Sequence, residues 1–447
     1  MHSENIQVPR RQATLPRAVV VTVLLLSVAW ALRWVPLPLV DASLVPPRVA
    51  SMMKLGVFGL GPLISGFLLV ELFSFSPPGR RWREAGVAGR ARLNRAALVA
   101  SLAVAAIQAI GLVRALEPMM DPSGTPLVAH PGAAFEIVTV ATFIAAAAGL
   151  FALATAIGEW GIGNGFCWLT VLGFLETALR AWRPDPGRLG RAEPIDLVFG
   201  ALWIVPFFIL AGAIELRRVE GRIATAAGEE IKLPLPPLPQ GIWPAGWAEA
   251  GIGIAAALGA WLHLGWLSGS SPLLSLAFSL LLVPAFSLLT FAWFGTRRRL
   301  AANLLPAATV GPEIDKTIDR QFVSTTLVLT GGEVALLLLH WLIPASPAIG
   351  FSAVFVLTAI ALDVRDELAF VRRYGRTARL LQLDNVHLAA YLRALLGQRG
   401  IAAVARAHRF RSLYYWLFPL VKIDLLVPAE SAEAAAAVIA EQELRRV

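Results

Sequence analysis

Apolar residues run along this chain in long blocks rather than in narrow stripes. Nearly uncharged segments recur at about 18–37, 54–75, 96–116, 134–157, 162–181, 196–215, 243–267, 272–295, 323–343 and 348–370. About 20 apolar residues suffice to cross a hydrocarbon core of ~30 Å as a helix. A lipid-exposed backbone must satisfy its own hydrogen bonds, so each block is expected to be helical. The pattern therefore predicts an all-α membrane domain of ten spans over residues 1–375. From about Arg376 the pattern changes. Residues 379–383 and Ile401–Ala405 read as strands, and Val421–Val427 alternates like a third. Asn385–Gln398 spaces Leu388, Leu392, Leu395 and Leu396 as a helix, and Pro428–Leu444 is an alanine-rich helix with Ser431 near its start. Residues 376–447 are thus expected to form a small α/β unit of βαββα order. Within it Phe410–Leu420 is aromatic and basic, and fits either contact with a membrane surface or a hydrophobic hairpin.

Composition supports this reading. The chain is 57% hydrophobic and 15% charged, with mean hydropathy +0.67; a soluble chain carries nearer a quarter charged residues. Its net charge of +9 is read as the positive bias of cytoplasmic loops and as attraction to anionic lipid, not as a nucleic-acid surface. Arg80, Arg81, Arg83, Arg90, Arg92 and Arg95 crowd one loop, Arg217, Arg218, Arg222 and Lys232 another, and Arg297–Arg299 a third. All three lie on one side, which places both termini in the cytoplasm. The loop at 182–195, with Arg183, Arg188 and Arg191, runs against that bias. The first apolar block continues past Leu32 into Trp34 and Val35, so it is read as an uncleaved first helix. The one cysteine, Cys167, excludes an internal disulfide. No phosphate-binding loop, metal cluster or dinucleotide fingerprint is visible, so no catalytic residue, metal or cofactor is expected. His263 and His340 are read as packed residues. Glu71, Glu159, Glu249 and Glu333 are expected at helix ends or facing a polar interior.

Gly158–Gly165 (GEWGIGNG) joins the fourth and fifth blocks. Three glycines allow a sharp turn, and Asn164 can bond freed backbone groups. This stretch resembles the loop between the fourth and fifth spans of the SecY family of protein-conducting channels. Gly59–Ser65 is similar to that family's second span, Gly89–Asn94 to the loop after it, and Gln108 to a position in the third span. Leu233–Leu235 with Gly241–Ala245 resembles the entry to the seventh span, and Ala361–Asp363 part of the tenth. The likeness is collinear over about 18–374.

The resemblance implies two inverted five-helix halves, about 18–181 and 196–370, around a pore. Its pore ring falls on Leu60, Ile64, Phe166, Thr170, Gly246 and Val356, its structural turn on Gly163, Asn164 and Gly165, and a cytoplasmic partner-binding pair on Arg217 and Arg218. It implies a lateral gate between spans 2–3 and 7–8, through which signal sequences or nascent transmembrane segments reach lipid. It also implies a SecE-like clamp subunit, room for a SecG-like subunit, and a place in the bacterial inner membrane. Three departures stand out. Residues 38–53 are too few for a full plug, Gly246 and Thr170 thin the ring, and 295–321 lacks the tip used by a motor ATPase or ribosome. Coupling to those partners is left open, with a transporter or scaffold of the same fold as the alternative. The 376–447 unit resembles a small bacterial domain family described as signal-transducing.

Overall fold

The structure is a computed structural model. It describes residues 10–11, 14–40, 54–56, 58–74, 76–84, 86–120, 124–128, 130–181, 194–217, 219–225, 230–246, 272–292, 308–310, 313–342, 350–383, 385–414 and 421–444. Several expectations fall outside these residues. They are Arg218, most of span seven, Arg297–Arg299, the 41–53 segment and nearly all of the loop at 182–195. The chain divides into two compact units, one built on Ala13–Gly173 and one on Phe174–Tyr415 with Lys422–Val447 and His2–Gln12.

The first unit holds α1 (Leu15–Leu32), α2 (Gly61–Ser74), α3 (Pro77–Glu84), α4 (Gly86–Leu116), α5 (Ala133–Trp160) and the start of α6 (Gly165–Ala181). The arginine-rich stretch read as a loop at 76–95 is mostly helix, because arginine and alanine are good helix formers. α2 and α4 approach closely. A Cβ on Gly66 would sit 2.2 Å from the Ser101 nitrogen, and the Ser101 hydroxyl donates to the Leu63 carbonyl at 3.2 Å. Small residues that let helix backbones touch are how helices associate where lipid tails remove the hydrophobic drive. Phe67, Val70, Leu93 and Ala97 fill the space beside that contact. A second cluster joins Ala109, Val113 and Leu116 to Phe135 and Phe143. The opposite faces carry exposed apolar side chains, such as Ile107 and Ile137, as lipid contact requires.

The second unit contains α7 (Pro194–Leu216), α8 (Pro272–Thr290), α9 (Glu313–Leu342) and α10 (Phe351–Tyr374). Among the described residues of the whole chain, four helices are long and apolar enough to cross a membrane, and four shorter helices are apolar. The stretch read as a loop after span six forms a hairpin instead. β2 (Val219–Thr225) pairs antiparallel with β3 (Glu230–Leu235), and β4 (Ala308–Val310) adds to the other edge of β2. Along β3 Ile231, Leu233 and Leu235 are buried while Glu230 and Lys232 are exposed. That is the period of a strand with one face against a core.

The remaining residues form a small α/β domain. Its strands are β5 (Thr377–Leu383), β6 (Val404–Arg406) and β7 (Ile423–Pro428), with β7 central and all pairs antiparallel. Its helices are α11 (Val386–Gln398), the short α12 (His408–Leu413) and α13 (Ala432–Leu444). The Asn385 side chain caps α11 by accepting from the His387 and Leu388 N–H groups at 2.9 and 3.2 Å. The N-terminal β1 (Arg10–Arg11) adds a strand beside β5, a pairing with no signal in its own two residues. One apolar core serves both hairpin and domain: Ile223, Ile231 and Leu233 pack with Ile314 and Ile318 of α9 and with Leu392, Leu395 and Leu396 of α11.

Candidate pore residues and the small-domain junction

The glycine-rich turn is anchored to α1. The Thr22 hydroxyl accepts from the Ile162 N–H at 2.9 Å and donates to the Ala18 carbonyl at 2.9 Å. Gly163 sits at φ +73, the left-handed region that glycine tolerates best. Asn164 then opens α6, its side-chain oxygen accepting from the Phe166 N–H at 2.9 Å. The Trp168 indole donates back to the Ile162 carbonyl at 2.8 Å. The turn thus aims Phe166 and Thr170, one helical turn apart, from the start of α6. The Thr170 hydroxyl is spent on the Phe166 carbonyl at 2.9 Å.

The other positions expected in the pore ring lie on different elements. Leu60 precedes α2 and is buried, and Ile64 on its first turn is partly exposed. In the second unit Val356 is buried within α10. A Cβ on Gly246 would meet nothing within 4 Å among the described residues. Arg217, at the end of α7, is exposed.

The densest polar structure is elsewhere, where the small domain meets α10. Arg406 of β6 and Glu367 of α10 are 1% and 2% exposed. The Arg406 Nε donates to Glu367 Oε2 at 3.0 Å, and a second nitrogen to Glu367 Oε1. Asp424 of β7 lies 3.6 Å from the same guanidinium. Burial would lower the Arg406 pKa, but the charges of Glu367 and Asp424 and the hydrogen bond from Arg406 to Glu367 together outweigh it and raise the pKa. Asp363 of α10 accepts the Arg409 and Phe410 N–H groups at 3.0 Å each, capping α12. Arg409 donates to Asp366 at 2.9 Å and to the Glu215 carbonyl at 2.7 Å. Beside it the Ile242 N–H donates to the Leu413 carbonyl at 3.0 Å, and Trp243 meets Tyr414 edge-on at 5.4 Å. The described part of the aromatic stretch, up to Tyr414, is therefore engaged with Ile242 and Trp243. Sequence reading missed Glu367, Arg406 and Asp424 altogether. A signal existed in Val421–Val427, where one aspartate interrupts an apolar strand.

The SecY family model matches residues 51–364. This chain belongs to the SecY family. Among curated relatives, the protein translocase subunit SecY of Aquifex aeolicus is 28% identical over 214 residues, covering 44% of this chain and 49% of that protein. The SecY subunit of Haemophilus influenzae is 28% identical over 313 residues, 63% of this chain and 68% of that protein. The chain thus spans about half the length of the first relative and two thirds of the second. A solved protein-conducting channel shares the fold at TM-score 0.54 and 13% identity, over 82% of this chain and 94% of that one. The canine Sec61 of a ribosome–channel complex does so at TM-score 0.53 and 12% identity, with the same coverage. The SecY match stops at Val364, so the small domain and its salt bridges lie beyond it.

Proposed function

We propose that this protein is a SecY-type channel subunit that passes polypeptides across the bacterial inner membrane or releases them into it. The observation that carries this is the family match across 314 of 447 residues. The likeness of fold to a protein-conducting channel supports it. In this reading ten spans form the two halves, both termini are cytoplasmic, and a SecE-like clamp holds the halves together. Leu60, Ile64, Phe166, Thr170, Gly246 and Val356 line the constriction. Apolar side chains seal such a constriction by excluding water and yield by moving aside. Signal sequences and nascent transmembrane segments are the substrates, and no prosthetic group is needed. The small domain is a docking or regulatory unit fixed to the end of the last span. Gly163, Asn164 and Gly165 form the structural turn, and Arg217 with Arg218 meets a cytoplasmic partner.

Crosslinking tests the pathway. With Cys167 replaced by serine, single cysteines at positions 60 and 64 should crosslink to a stalled translocating chain. Cysteines at Val323 and Leu327, exposed on α9, should not. Equal crosslinking at both places would remove the central pore from the proposal.

A further inference from the structure

The junction around the small domain encloses a cleft of about 870 Å³, within the ~300–1,000 Å³ of small-molecule sites. Its walls come from the end of α7, the β2–β3 hairpin, the last turns of α10, and the small domain. Cations converge on it from every wall: Arg217 and Lys232 beside and on the hairpin, Arg365 and Arg373 on α10, Arg393 and Arg409 on the small domain. Four carboxylates share the lining, those of Glu215, Glu220, Asp363 and Asp366. They do not balance the cations evenly. Asp366 is taken by Arg365 at 2.7 Å and Arg409 at 2.9 Å. Asp363 is taken by two backbone N–H groups. Glu215 is 2% exposed and its carboxyl oxygens accept no hydrogen bond among the described residues. Glu220 is exposed. Among the described residues no carboxylate pairs with Arg217, Lys232 or Arg373.

Three exposed cations on separate elements line one concave space, and none is ion-paired among the described residues, so a bound anion would relieve their mutual repulsion. Guanidinium groups and ammonium groups match phosphate oxygens in charge and in hydrogen-bond geometry. We propose that this cleft binds a phosphate-bearing anion, held by Arg217, Lys232 and Arg373. The anion bridges the end of α7, the hairpin and the last turns of α10, so its binding reports on how these three elements are held together. A soluble phosphate compound and the headgroup of an anionic lipid present the same chemistry, and the cleft lies at the ends of two helices assigned to spans.

Two binding measurements on the full-length protein test this. In one, pyrophosphate is titrated calorimetrically into protein held in phosphatidylcholine nanodiscs. In the other, retention of phosphatidylglycerol against phosphatidylcholine is read by native mass spectrometry. At least one probe should bind, more weakly as salt rises, and about ten-fold or more weakly in Arg217→Gln/Lys232→Gln/Arg373→Gln. A control, Arg92→Gln/Arg95→Gln, removes two exposed cations of α4 and should bind as the parent does. Pyrophosphate alone binding identifies a soluble ligand, and phosphatidylglycerol alone a lipid headgroup. The proposal is overturned if neither probe binds, if the triple variant keeps full affinity, or if the control loses as much. Should the triple variant lower the thermal midpoint, the single Lys232→Gln and Arg373→Gln variants carry the same test, each with a smaller loss expected. None of these readouts requires translocation, so the result stands apart from the channel assignment.

Discussion

Arg406 is a long cation held almost entirely out of water, and its surroundings decide what that costs. Glu367 meets it with two hydrogen bonds and Asp424 stands behind. Asp424 in turn accepts from the Gln382 side chain at 3.1 Å. Removing one member of a buried pair leaves the other charge desolvated and costs ~3–5 kcal/mol, whereas replacing both with apolar groups is often nearly neutral. Arg406→Ala should therefore lower the thermal midpoint of the chain and expose the small domain to protease. Arg406→Met combined with Glu367→Leu should recover much of the loss, since Asp424 keeps Gln382 and has Arg379 at 3.9 Å. Equal loss in the single and double variants would mean that packing, not charge, holds this site. Asp424 left a local signal, an acid within an apolar strand, although the sequence reading passed over it. Its partners left none, because Glu367 and Arg406 are 39 residues apart and no local pattern links them.

At the scale of the element, the small domain carries two histidines that burial keeps neutral. Desolvation pushes His387 down to about 4, and it pushes His408 down to about 3, with Arg393 and Arg409 adding to the effect. Both would titrate near 6.5 in an unfolded chain. The unfolded state therefore binds more protons below pH 6.5. The stability these groups contribute is complete above that value and is lost as pH falls toward about 4 for His387 and about 3 for His408. Each histidine can steepen the loss by up to about 1.4 kcal/mol per pH unit. Between pH 7 and pH 5 the thermal midpoint should fall more in the parent than in His387→Gln/His408→Gln. Parallel curves would show that neither ring is buried in the folded protein. Helix α11 was legible because its leucines recur at helical spacing and Asn385 sits at its start. The β2–β3 hairpin was not read as strands. Its two runs are short, and Pro234 sits within the second. What stabilises them is a core supplied from residues far along the chain.

For the whole molecule, orientation in the membrane is the property most open to direct measurement. A reporter fused after Val447 should behave as cytoplasmic, and one placed in the segment 118–131 as external. The reverse pattern would overturn the span count and with it the assignment of halves. The same measurement bears on the loop at 182–195, whose three arginines oppose the charge bias. If that loop is external, its arginines are retained against an unfavourable term in insertion, which is smaller than the cost of leaving an apolar span in water.

The sequence alone determined that this is a membrane protein of the SecY family. Both conclusions rest on quantities that are local. A block of apolar residues must find lipid wherever the rest of the chain goes, and a glycine-rich turn such as Gly161–Gly165 is set by its own backbone limits. Tertiary structure alone decided that the small domain is joined to α10, α9 and the β2–β3 hairpin by a buried ion pair, a shared apolar core and the capping of α12 by Asp363. Each of those depends on residues tens to hundreds of positions apart, as Arg409 and Glu215 are. Burial, which sets the cost of every charge at the junction, exists only once those distant segments meet.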